Sequence, residues 1–214
     1  MSDHMGHRHA KNIIFDWSGT LVDDLPPVLE ATNAVMRAFG KPELSREQFR
    51  REFRLPFMHW YEEVLPGVPL KELDKVFLPA YAASQQPVTV LPHALKFLES
   101  CATAGRRMFV LSSAPQYAVE EQAEALGLKH FFERIWAGVV DKRTQIKPLL
   151  DTHGLLQQDT LMIGDMRHDM HTARAGGIHA VAVLTGYEYE EAIATSEPDL
   201  MVRDLGELHA LHFP

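Results

Sequence analysis

Short apolar runs recur along the chain, and each stops abruptly at a polar residue or glycine. Ile13 to Phe15 end at Asp16, and Met108 to Leu111 end at Ser112 and Ser113. Leu161 to Ile163 end at Gly164 and Asp165, Ala180 to Leu184 end at Thr185 and Gly186, and Ile135 to Ala137 is a weaker run of the same kind. Runs that are apolar at every position, rather than at every second one, suit strands buried on both faces, as in a parallel sheet. Between them lie segments of helical period that stop at glycine: His93 to Thr103 before Gly105, Ala118 to Leu126 before Gly127, Ile146 to Thr152 near Gly154, and Thr172 to Ala175 at Gly176 and Gly177. This alternation, from about residue 88 onward, predicts an α/β fold with a doubly wound, Rossmann-like parallel sheet. Ligands of such sheets bind beyond the carboxyl ends of the strands. Asp16, Ser112 and Asp165 all fall at those ends.

Residues 25–87 follow a different pattern. Pro26 and Pro27 open a helical stretch running to Phe39, with Gly40 just past it, and Ser45 to Gln48 has the form of a capping box. A further helical stretch covers Leu70 to Ala83, and Pro56, Pro66 and Pro69 separate the segments. The organisation expected is a core of residues 11–24 and 88–214, a small helical insert at 25–87 after the first strand, and a disordered tail at 1–10. The tail carries His4, His7 and His9 but lacks the apolar stretch of a secretory signal.

With 214 residues, 46% of them hydrophobic, the chain is long enough for a large core. A formal charge of −8 argues against nucleic acid or an anionic membrane as partner. Cys101 is the one cysteine, so no internal disulfide is possible; it reads as a small apolar helix residue. No apolar run is long enough to span a bilayer, and the expected location is cytoplasmic.

Two segments carry chemistry. In Asp16-Trp17-Ser18-Gly19-Thr20-Leu21-Val22-Asp23-Asp24, a carboxylate stands at a strand end before a glycine turn, rigid and exposed enough to attack phosphorus. In Gly164-Asp165-Met166-Arg167-His168-Asp169, two carboxylates four positions apart at a strand end suit a hard, oxygen-ligated cation such as Mg²⁺. Taken alone, the first reads equally well as a turn and the second as helix N-terminal acids; together they point to one site. His168 and His171 share a helix face but have no further soft ligand for zinc.

These segments resemble the motifs of the haloacid dehalogenase superfamily, and more narrowly a phosphoglycolate-phosphatase-like branch with Asp-Trp-Asn-Gly-Thr-Leu-Leu-Asp-Asp at this place. The resemblance implies that Asp16 is the nucleophile and that Ser112 contacts the phosphoryl group. Thr20 and Ser113 join it, and a lysine neutralises its charge. Lys142 lies 23 residues before Asp165 and opens a helix, as in relatives, whereas Lys147 lies a turn further in. The metal ligands implied are Asp16, the backbone carbonyl of Ser18, Asp165 and, through water, Asp169. The insert would be a cap over the site, with Arg50, Arg51, Arg54, His59 and Tyr61 as candidates to face a small-molecule phosphate substrate.

One position departs from the family. Most phosphatases of the superfamily have Asp two places after the nucleophile, to protonate the leaving oxygen; this chain has Ser18. A hydroxyl is too weak an acid for that task. Three readings follow: a Mg²⁺-dependent phosphohydrolase working through an aspartyl-phosphate, a phosphonate hydrolase, or a phosphate-binding protein without turnover. Phosphonate hydrolases resemble Asp-Trp-Ala-Gly-Thr in the first motif but require a Schiff-base lysine in the insert, where Lys71 and Lys75 lie on an ordinary amphipathic stretch.

Overall fold

A computed structural model describes residues 10–212, so the expectation for the histidine-bearing tail lies almost wholly outside the described residues. Six parallel strands form one sheet: β1 (Asn12–Phe15), β4 (Arg107–Leu111), β5 (Arg134–Trp136), β6 (Thr160–Gly164), β7 (His179–Val183) and β8 (Leu200–Val202). Their order is β5-β4-β1-β6-β7-β8. β1 is therefore central, and the chain winds away from it first to one side and then to the other. Phe15 is level with Val110 of β4 and Ile163 of β6, which sets the residues after all three strands along one edge.

Successive strand residues point to opposite faces. Ile13, Phe15, Val110, Ile163 and Val181 join one apolar cluster, while Ile14, Phe109, Met162 and Ala182 join another. The first is covered by α5 (Ala94–Thr103), α6 (Gln116–Ala125) and α10 (Leu205–His212), the second by α7 (Lys142–His153), α8 (Arg167–Gly176) and the short α9 (Glu190–Ala194). The four main runs thus became central strands because only a two-sided core consumes every residue. β8, an edge strand of three residues, has too little sequence to be noticed in advance. Cys101 lies buried in α5, where burial pushes its thiol up to about 12.

Between β2 (Val22–Asp23) and β3 (Thr89–Val90), which pair antiparallel, the chain forms α1 (Leu25–Ala38), α2 (Arg46–Glu52), α3 (Phe57–Val64) and α4 (Leu70–Ala83). Pro26 and Pro27 sit in the first turn of α1, where missing N–H groups cost nothing. The capping box forms as read, with Ser45 Oγ accepting from the Gln48 N–H and the Gln48 side chain accepting from the Ser45 N–H. These helices gather a third cluster around Val35, Phe49, Trp60 and Leu73, which also takes in Met166 and Tyr187 from the sheet side. Each such side chain, fully buried, contributes about 1.5–3 kcal/mol, enough to fasten the helices over the carboxyl end of β1. No helix among the described residues is long and apolar enough to cross a membrane.

Candidate active site

Asp16 follows β1 directly, and its N–H continues the sheet by donating to the Ile163 carbonyl at 2.8 Å. Asp165 follows β6 and Asp169 lies in the first turn of α8. Carboxylate oxygens of Asp16, Asp165 and Asp169 lie within 4.8 Å of one another, and all three residues are buried. Into this group comes Lys142 from the first turn of α7, its side chain fully buried and its Nζ 2.7 Å from both Asp16 Oδ1 and Asp169 Oδ1. Lys147, by contrast, is exposed.

The remaining carboxylate oxygens are held from outside. Thr20 Oγ1 donates to Asp165 Oδ1 at 2.9 Å, and the Tyr187 N–H donates to Asp165 Oδ2 at 2.7 Å. The Met166 N–H donates to Asp169 Oδ2 at 3.1 Å. This corrects one expectation: the Thr20 hydroxyl is committed to Asp165 and does not line the cavity, so it orients a carboxylate instead of contacting phosphate. Gly19 and Gly186 close over Asp165 so tightly that a Cβ on either would stand 2.5 or 2.0 Å from its Oδ2. Gly19 also has φ +75°, in the left-handed region.

Three buried carboxylates face one ammonium, an excess of negative charge in a dry site. Burial, reinforced by the charges of Asp16 and Asp169, pushes Asp165 well above the carboxylate range. Burial also lifts Asp16, to about 7, against the pull of Lys142 and with the push of Asp169. Burial works against the Lys142 ammonium, but the two carboxylates outweigh it and hold Lys142 above its ordinary value. A divalent cation among these oxygens would relieve the excess, and an all-oxygen donor set fits a hard one.

His168 is no zinc ligand. It is buried, its Nε2 accepts from the Lys142 N–H at 3.2 Å, and burial followed by the Lys142 charge pushes it down to about 4. The neutral ring therefore pins the start of α7, whose first residue is the site lysine.

Ser112 and Ser113 follow β4 and border a cavity of about 180 Å³ above Asp16 and Lys142. Ser112 Oγ accepts from the Ala114 N–H at 3.2 Å, and Ser113 Oγ is enclosed with no hydrogen-bond partner. Ser18 borders the cavity as well, and its hydroxyl donates to Asp24 Oδ2 at 2.6 Å. Tyr187 Oη donates to the other oxygen of Asp24 at 2.8 Å. Burial pushes Asp24 up to about 6, opposed by those two hydrogen bonds. The sequence reading gave Asp24 and Tyr187 no role. For Asp24 the signal was there, a second acid closing the first motif, but a turn offers an equal reason for it.

The basic residues named as candidates to face substrate are engaged elsewhere or exposed. Arg50 lies 4.1 Å over the Tyr189 ring and donates to the Glu188 carbonyl, Arg51 pairs with Glu47, and Arg54 pairs with Glu63. His59 is exposed, and of the five candidates only Tyr61 lines the cavity.

Phosphoglycolate phosphatase of Aliivibrio fischeri is 29% identical, over 89% of this chain and 91% of its own length. Phosphoglycolate phosphatase 1 of Pseudomonas aeruginosa is 26% identical, over 94% of this chain and 79% of its own. Among solved structures, a haloacid dehalogenase-like family hydrolase from Streptococcus pneumoniae superposes with a TM-score of 0.85 at 23% identity, over 95% of this chain and 98% of its own. The family model for haloacid dehalogenase-like hydrolases matches residues 13–183, from β1 to the end of β7; the chain belongs to that family of enzymes.

Proposed function

We propose that the chain is a Mg²⁺-dependent phosphatase of small organic phosphates, working through an aspartyl-phosphate on Asp16. The observation that carries this reading is Lys142 Nζ, fully buried and 2.7 Å from both Asp16 and Asp169, since an ammonium held there serves a phosphoryl group in transit. Phosphatase names among the relatives support it. Asp16, Asp165, Asp169 and the Ser18 carbonyl would hold Mg²⁺, which supplies charge neutralisation of the phosphoryl oxygens when bound.

Asp16 Oδ attacks phosphorus, and the bond to the leaving alcohol oxygen breaks. Lys142, Ser112 and the unpartnered Ser113 hydroxyl bind the phosphoryl oxygens. The alcohol oxygen takes a proton from Ser18, which takes one in turn from the Asp24 carboxyl. Water then attacks the acyl-phosphate, its proton returns by the same hydroxyl to Asp24, and phosphate leaves with Asp16 regenerated. The helical segment 25–87 acts as a cap that keeps bulk water out.

The test is a panel of phosphate monoesters and acetyl phosphate with Mg²⁺, for wild type and Asp16→Asn. Full activity of Asp16→Asn sinks the reading. Phosphonate cleavage stands second. It needs a free amine at the substrate, yet of the lysines only Lys142 lines the cavity, and Lys75 is paired with Glu72. Inactivation by borohydride with phosphonoacetaldehyde would favour it.

A further inference from the structure

The walls of the cavity bear on the leaving group. Its floor is polar, made of Asp16, Ser18, Asp24, Ser112, Ser113 and Lys142. Above that floor the helical segment supplies Phe53, Leu55, Phe57, Leu73, Phe77 and Leu78. Among the lining residues only Lys142 is a lysine, arginine or histidine, and its three N–H groups serve Asp16, Asp169 and, in the proposed reaction, the phosphoryl group. The one charge on the upper wall is the acid Asp74. The polar groups among these walls are Thr32, Tyr61, Tyr81 and Tyr187; Tyr81 Oη accepts from Gln122, and Tyr187 Oη donates to Asp24. Arg50, Arg51 and Arg54 are spent on Glu188, Glu47 and Glu63, and Lys75, Arg143 and Arg167, next in sequence to lining residues, pair with Glu72, Asp141 and Glu188.

A carboxylate carried into this space would lose its water, find no cation and face Asp74. An apolar group would replace water against aromatic and aliphatic side chains, the ordinary way such pockets bind. The volume of about 180 Å³ has to take the phosphoryl group as well; since an apolar cavity of roughly 150 Å³ accepts benzene, it bounds the alcohol at a single ring or a short alkyl chain.

From this we infer that the substrate is a phosphate monoester of an uncharged, apolar alcohol about the size of a phenyl or hexyl group, and not the carboxylate-bearing ester named for the relatives. This specificity rests on the phosphatase reading above, with the phosphoryl group on the polar floor and the alcohol carbon among the phenylalanines.

The experiment has a turnover arm and a binding arm. In the first, wild type with Mg²⁺ is assayed on ethyl, butyl and hexyl phosphate, phenyl phosphate and phosphoglycolate, with acetyl phosphate as a control for turnover. Expected is a rise in kcat/KM of about fourfold for each added methylene until the cavity is full, and a value for phosphoglycolate at least about a hundredfold below hexyl phosphate. In the second, Asp16→Asn is titrated calorimetrically with hexylphosphonate and with 3-phosphonopropionate, and hexylphosphonate is expected to bind more tightly by a similar factor. Leu78→Arg, at a half-open edge of the wall, is expected to narrow the gap by about tenfold by pairing the carboxylate. Turnover of acetyl phosphate with phosphoglycolate equal to or better than hexyl phosphate overturns the apolar specificity and leaves the phosphatase reading standing. Turnover of nothing, with hexylphosphonate still preferred, sinks phosphatase activity but supports the pocket's selectivity. Equal binding of the two phosphonates overturns that selectivity.

Discussion

The Ser18 hydroxyl donates to Asp24 across 2.6 Å, and so joins the position where the family usually has an acid to a buried carboxyl six residues further on. Asp24 is lifted to about 6 by burial and is closed off behind by Tyr187. In the proposed mechanism the acid absent from position 18 is set back by one hydroxyl, and this arrangement makes predictions that a bare serine would not.

If Ser18 and Asp24 act as one unit, Ser18→Ala and Asp24→Asn each lower kcat on alkyl phosphates by about a hundredfold, and the double variant loses little more. The single-turnover burst of acetate from acetyl phosphate, whose leaving group needs no proton, is nearly as fast in all three as in wild type, although hydrolysis of the aspartyl-phosphate that follows is slowed. Because Asp24 must be protonated to act as an acid, kcat on alkyl phosphates falls as pH rises through about 6, whereas acetyl phosphate shows no such fall. Additive losses, or a burst from acetyl phosphate slowed as much as that from alkyl phosphates, would refute the relay.

Lys142→Met removes the one ammonium and leaves Asp16, Asp165 and Asp169 facing each other in a dry site. Loss of one partner from a buried ionic group costs about 3–5 kcal/mol, and loss of a preorganised charge costs about 10²–10³ in kcat. The expected result is a variant with near-zero activity and a Tm well below wild type in EDTA, and a larger rise in Tm on adding Mg²⁺ than wild type shows. Identical Mg²⁺ shifts for the two proteins would count against the shared site.

How much of this was legible in the sequence follows from what each residue does. The strands ending at Asp16, Ser112 and Asp165 could be read because two-sided burial leaves a continuous apolar signature, and a polar residue after it is conspicuous. Lys142 could be read from its spacing and its place at a helix start. Thr20 was misassigned because a hydroxyl in a catalytic turn has several partners in reach, and only coordinates show that Asp165 takes it. Arg50, Arg51 and Arg54 could be named only as candidates because charge says nothing about which acid lies opposite in space. The apolar wall was hidden for a related reason: Phe53, Phe57 and Phe77 look like core until the helices leave a gap between them.

Gly186 is expected to be as sensitive as any of the charged residues. A Cβ there would lie 2.0 Å from Asp165 Oδ2 and 2.7 Å from Gly19 Cα, so neither a side chain nor backbone can yield without moving a site carboxylate. Gly186→Ala should lower Mg²⁺ affinity by about tenfold or more, within the range for groups that orient metal ligands. Calorimetric Mg²⁺ titration reads this directly, and wild-type affinity in the variant would show that Asp165 is not a ligand.

His168 leads to a prediction about acid. Its folded-state value is pushed from 6.5 to about 4, so between those limits the unfolded chain binds the proton and the folded chain does not. Its contribution to stability is therefore complete above about 6.5 and is lost as pH falls toward about 4. At pH 4.5 that loss amounts to about 2–3 kcal/mol. His168→Gln keeps an acceptor for the Lys142 N–H but cannot take up the proton. Urea unfolding in EDTA at pH 7 and pH 4.5 should show wild type losing about 2–3 kcal/mol more than the variant over that interval. Other groups titrate too, among them Asp24 and Asp16 with the opposite sign, but they are common to both proteins and cancel in the comparison. Equal losses would mean that the ring accepts its proton inside the fold, and that the Lys142 N–H is held by something other than a neutral imidazole.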